Sequence, residues 1–91
     1  MTEEKRSGGC LCGAVRYRYD GEIGSAGYCH CADCRRHSGA PMVAWALVPM
    51  DQLNIQGETK EYASSASAQR HFCPQCGTSL FYTNSEMFPN Q

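Results

Sequence analysis

Seven cysteines stand out among the 91 residues as the side chains most able to do chemistry. They form three groups, Cys10-x-Cys12, Cys29-x-Cys31-x2-Cys34 and Cys73-x2-Cys76. Seven in 91 is about 8%, a density otherwise typical of small secreted disulfide scaffolds. Three features favour a metal over disulfides. The count is odd, the spacings are those of paired metal ligands, and the opening Met-Thr-Glu-Glu-Lys-Arg lacks the apolar segment of a secretory signal. Cysteines two or three residues apart on a tight turn also meet disulfide geometry poorly. A reducing, cytoplasmic setting is expected.

A closed tetrahedral zinc site takes four protein ligands, whereas a catalytic one takes three and keeps a position for solvent or substrate. Seven divides into four and three. Cys10 and Cys12 lie far in sequence from Cys73 and Cys76, so a shared ion would tie the start of the chain to its end. Cys29, Cys31 and Cys34 lie within six residues and form a three-point cradle. His37 follows Cys34 by three residues and could close that cradle as a Cys3His site, while His30, wedged between two ligands, should point away. Spacing alone supports an open and a closed triplet equally. Iron–sulfur clusters want four cysteines each, which seven do not supply for two.

The elements that must position these sulfurs read as short strands and turns. Residues 1–7 are polar and are expected to form a disordered tail ahead of one domain over 8–91, with Gly8-Gly9 opening a turn. From Ala14 to Tyr19 the chain alternates, Val15, Tyr17 and Tyr19 facing one way and Arg16 and Arg18 the other, which is the period of a half-buried strand. Gly21–Gly27 reads as a Gly/Ser-rich connection, Ala32–His37 as a single helical turn, and Met42–Val48 as the main core strand around Trp45. Leu53 and Ile55 mark another strand, Thr59–Ala63 a further one, Ser64–Ala68 a loop, and Thr78–Tyr82 the last strand. Tyr28 and Trp45 are expected in the core. The outcome is one β-rich unit with a thin core, in which metal cross-links would supply much of the folding energy.

Composition excludes several classes. Hydrophobic residues make up 42% and charged residues 19%, too apolar for a disordered tail. The longest apolar run, Ala40–Met50, is interrupted by prolines and is half the length a membrane-spanning helix needs. A net charge of -1 with a pI near 6.2 gives no electrostatic footprint for nucleic acid.

The stretches Gly8-Gly9-Cys10-Leu11-Cys12-Gly13-Ala14-Val15-Arg16-Tyr17, Cys29-His30-Cys31-Ala32-Asp33-Cys34-Arg35-Arg36-His37-Ser38-Gly39 and Phe72-Cys73-Pro74-Gln75-Cys76-Gly77-Thr78-Ser79-Leu80 together resemble the glutathione-dependent formaldehyde-activating enzyme family. That family includes centromere-protein-V-like proteins. The resemblance implies a mainly β fold of small antiparallel sheets, tent-like, with little helix. It implies two zinc ions per chain, a structural one on Cys10, Cys12, Cys73 and Cys76 and a catalytic one on Cys29, Cys31 and Cys34, open to solvent or substrate. The implied activity is that of a carbon–sulfur lyase joining glutathione and formaldehyde into S-hydroxymethylglutathione. Members usually continue with further strands, whereas this sequence ends at Gln91, so a shortened form or a second copy completing the sheet is expected.

The implied chemistry needs a thiolate, since the thiol is a poor nucleophile. Arg35, Arg36 and Arg70 are candidates to offset the charge of a three-thiolate site and to grip glutathione's carboxylates. Each, taken singly, is more readily read as a solvated surface side chain. His37 and His71 are candidates to move a proton. The competing class is a non-catalytic zinc-stabilised scaffold or binding module, for which chromatin is a poor partner at this pI.

Overall fold

The structure, a computed structural model, describes residues 5–23 and 25–91. In chain order these form β1 (Lys5–Gly9), β2 (Arg16–Asp20), β3 (Ser25–Cys29), α1 (Ala32–Ser38), β4 (Val43–Leu47), β5 (Leu53–Gln56), β6 (Lys60–Ala63), β7 (Ala68–Phe72) and β8 (Ser79–Asn84). A 3-10 turn at Met50–Gln52 precedes β5. The strands make three small antiparallel sheets, ordered β1-β2-β5, β3-β4 and β6-β7-β8. The mainly β expectation holds. Among the described residues no helix is long and apolar enough to cross a membrane.

Strand β2 behaves as its alternation requires. Val15 and Tyr19 are buried, Tyr17 is half-buried, and Arg16 and Arg18 are exposed. The Tyr19 hydroxyl meets its hydrogen-bonding need by donating to the Glu22 carbonyl at 2.6 Å. The core is as thin as the chain length implies. Cys10, Val15 and Cys73 form its buried centre, with Cys76, Leu80 and Phe81 packed around them.

Four expectations are corrected. Lys5, Arg6 and Ser7 are not a disordered tail, because they belong to β1 and pair with Asp20, Tyr19 and Arg18 of β2; residues 1–4 of the expected tail lie outside the described residues. Gly8 and Gly9 continue that strand rather than turn it. The apolar run around Trp45 is a half-buried strand and not the core. Val43, Trp45 and Leu47 face inward, while Ala44 and Ala46 are exposed, so the alternation is one of side-chain size hidden inside a uniformly apolar run. Tyr28, expected inside, is 69% exposed. Besides β1, two further strands went unread. β3 is mostly small residues with its one large side chain, Tyr28, turned outward, and β7 carries an inward arginine, so neither shows the usual apolar alternation.

Gly57 fixes the approach of β5 to the first cysteine turn. Its φ of 96° is left-handed, and a side chain there would collide with the Ala14 carbonyl. Gly57→Ala is expected to destabilise the protein by about 2 kcal/mol or more. Thermal denaturation of the metal-loaded protein followed by circular dichroism would check this.

Candidate metal centres

Two β-hairpins carry the first set of sulfurs at their tips. Cys10 and Cys12 lie between β1 and β2, and Cys73 and Cys76 between β7 and β8. The tips are built alike. In each, the leading cysteine's N–H donates to a carbonyl five residues on, Cys10 to Val15 and Cys73 to Thr78, both at 3.0 Å. In each, a left-handed glycine, Gly13 or Gly77, turns the chain and donates to that cysteine's carbonyl. The tips are also joined directly, as the Leu11 N–H donates to Thr78 Oγ1 at 3.1 Å. All four sulfurs lie within 4.8 Å of one another. Cys10 to Cys12 is 3.6 Å and Cys12 to Cys73 is 3.7 Å. A tetrahedron with sulfurs 2.3 Å from a central zinc has edges of about 3.8 Å, so the donor set fits such an ion. Backbone N–H groups aim at the sulfurs as they do at thiolates, Val15 to Cys10 at 3.3 Å and Gln75 to Cys73 at 3.4 Å.

The second set is local. Cys29 ends β3, Cys31 caps the N-terminus of α1, and Cys34 lies in its first turn, its N–H donating to Cys31 Sγ at 3.4 Å. The three sulfurs lie within 4.8 Å of one another, with Cys29 and Cys31 3.4 Å apart. Cys34 is buried and Cys31 exposed, so the trio is anchored on one side and faces solvent on the other. Among the described residues no histidine or carboxylate joins this group. All seven cysteines are free thiols. Both clusters could therefore hold a metal ion, four sulfurs in one and three in the other.

The thiols of the trio differ. The Cys34 N–H, which favours a thiolate, draws Cys31 down to about 7. Cys29, sharing a hydrogen bond with the Cys34 side chain, is pushed up to about 11. In the quartet the Thr78 hydroxyl, 3.1 Å away, and the Thr78 N–H bring Cys76 down to about 5. Thr78 thus links the two tips and polarises one sulfur. Its place two residues after Cys76 was the only sign of this in the sequence.

The remaining candidates separate. Arg35 and Arg36 are exposed on α1. Arg70 is 6% exposed and donates from Nη1 to Cys34 Sγ at 3.4 Å, so its guanidinium is turned to the trio rather than to solvent. His30 is exposed. His37 leaves the trio alone. Its Nδ1 is hydrogen-bonded to Ser79 Oγ at 3.1 Å and its ring stands edge-on to Phe72. Burial, then the positive charge of Arg70, lowers its pKa below the usual histidine value. His71 is elsewhere, bonded to Thr83 and 3.5 Å from Glu61, on an apolar cleft shared with Trp45, Leu53 and Phe81.

Known proteins resemble this chain in sequence. A Schizosaccharomyces pombe protein named as an uncharacterized lyase is 35% identical over 81 residues, which is 87% of this chain and 59% of that protein. Proteins of Aspergillus flavus and Aspergillus oryzae, each provisionally named as a glutathione-dependent formaldehyde-activating enzyme, are both 29% identical over 77 residues, 79% of this chain and 40% of theirs. The chain thus spans between two-fifths and three-fifths of the length of these relatives. The family model described as glutathione-dependent formaldehyde-activating enzyme matches residues 5–91, a span that takes in both sulfur clusters and the strands β1 to β8. On that match the chain belongs to the glutathione-dependent formaldehyde-activating enzyme family.

Proposed function

We propose that the chain carries the metal sites of a zinc-dependent carbon–sulfur lyase that forms or breaks thiol–aldehyde adducts, S-hydroxymethylglutathione among them. The observation that carries this reading is the gathering of Cys29, Cys31 and Cys34 with no fourth histidine, cysteine or carboxylate among the described residues, in a chain whose other cluster has four sulfurs. The names of the relatives support the substrate class. The quartet would hold a structural zinc and the trio an exchangeable one. Seven free thiols fit a reducing compartment such as the cytoplasm.

Zinc on the trio would keep an incoming thiol deprotonated at neutral pH, the state in which sulfur adds to a carbonyl carbon. The chain's own residues supply the rest. Cys34, held between α1 and Arg70, and Cys31, fixed as the helix cap, set the direction the cradle faces. In the addition a sulfur–carbon bond forms, the carbonyl π bond breaks, and the oxygen takes up a proton. His37 is the proton carrier of this reading. In the tautomer that carries its proton on Nδ1, bonded to Ser79 Oγ, Nε2 is a base able to accept the thiol proton and return it to the new alkoxide oxygen. Arg35 and Arg36, exposed on the same helix, are available to glutathione's carboxylates.

Three outcomes are expected. NMR exchange spectroscopy with glutathione and formaldehyde will show adduct exchange faster than the spontaneous rate, and no acceleration would reject the enzyme. Cys76→Ser will lose the folded circular dichroism spectrum, whereas Cys31→Ser will stay folded with one zinc and lose activity. A folded Cys76→Ser protein with both zincs would refute the division of labour. Because the His37 pKa is lowered, its basic form is complete at neutral pH and is lost only as pH falls through that lowered value. Activity should therefore fall on the acid side, and His37→Gln should cost roughly 100-fold or more and flatten that limb of the pH–rate profile.

A further inference from the structure

Arg70 sits in the central strand of the third sheet, 6% exposed, with its guanidinium held from two sides and against a ring. Nη1 donates to Cys34 Sγ at 3.4 Å and Nε to Ser64 Oγ at 3.2 Å, while Cζ lies 4.8 Å from the Tyr82 ring centroid. Trp45 backs that ring from another sheet, 5.9 Å between centroids. Among the described residues the ion pairs join Arg18 to Asp20 and His71 to Glu61, and no carboxylate reaches Arg70. A buried guanidinium without a carboxylate is expensive unless another anion balances it. The anion within reach is the sulfur trio.

Among the described residues the quartet has no cationic partner of this kind. Its sulfurs receive backbone N–H groups, the Thr78 hydroxyl and contact with the Gln75 amide, all neutral. A divalent ion with four thiolates has a net charge of -2, and with three it has -1. Arg70 brings the three-sulfur centre to zero, so that a fourth, incoming thiolate would raise it only to -1. Arginine keeps its charge at any working pH.

We propose that Arg70 is a positioning residue for the trio, a fixed counter-charge that orients Cys34 Sγ and gives this centre, and not the quartet, room for an anionic sulfur ligand. The proposal rests on the reading of the trio as a zinc site. It also gives the Ser/Ala loop a purpose. Ser64 holds Nε, and the loop is closed by Ser65 Oγ accepting from the Ala68 N–H at 3.2 Å.

Zinc affinities of both sites can be measured on the full chain by competition with a chromophoric chelator, with cobalt(II) substitution reporting the sulfur-to-metal charge-transfer bands. Arg70→Gln should weaken zinc at the trio by about tenfold or more, the worth of a charge-assisted hydrogen bond, and shift the trio's charge-transfer band. Quartet affinity should move less than twofold. Arg70→Lys should recover part of the loss, because the charge returns without the fork. Ser64→Ala, which removes only the Nε partner, should lose about threefold if Arg70→Gln fails to fold. A trio affinity within twofold of the parent, an equal loss at both sites, or no recovery by lysine would overturn the proposal. Fewer than two zincs on the unmutated chain would instead reject the zinc reading of the trio.

Discussion

The meeting of two hairpin tips through four sulfurs is the constraint on which the rest of this molecule depends. Val15 and Cys73 are the largest fully buried side chains, and one of the two is itself a metal-ligand candidate. A core of this size leaves little margin, since domains of ordinary size are stable by only about 5–15 kcal/mol. Structural zinc in small peptides contributes about 10–16 kcal/mol, which is as large as the whole of that margin. The first and third sheets are held together at this point, and the apolar residues around it, Leu80 and Phe81, pack against the sulfurs rather than against a separate core. An ion held by these four sulfurs would therefore make metal binding and folding a single equilibrium.

The trio depends on the same frame in a different way. Its ligands come from the end of β3 and the first turn of α1, so the local chain brings the sulfurs together. What the frame adds is the burial of Cys34 and the delivery of a guanidinium from β7. The two centres therefore differ in kind. The quartet joins distant segments and receives neutral donors, whereas the trio is local in sequence and receives a charge from afar.

Much of this was legible in the residues. The cysteine spacings separated four from three, because coordination number and turn geometry restrict which sulfurs can meet. The Val15–Tyr19 alternation gave β2, because one face of that strand is buried. The errors share a cause. β4 hides its two faces as large and small apolar side chains, β3 is mostly small residues with Tyr28 exposed, and β7 owes its inward polarity to partners that are remote in sequence. Arg70 is 36 residues from Cys34, and no periodicity registers a partner at that distance. Among three arginines of equal standing, only the three-dimensional structure separates the buried one from the two on the surface of α1. His37 is bonded to Ser79 and packed on Phe72 instead of joining the trio, which its spacing from Cys34 does not reveal.

The contrast in loop length has a kinetic consequence. Cys12 and Cys73 are 61 residues apart, while Cys29 and Cys31 are separated by two. Closing the longer loop carries the greater entropy cost and awaits synthesis of the second hairpin, whereas six consecutive residues suffice to grasp an ion. During synthesis the three sulfurs of the local cluster can therefore meet before all four of the hairpin-tip cluster have been made.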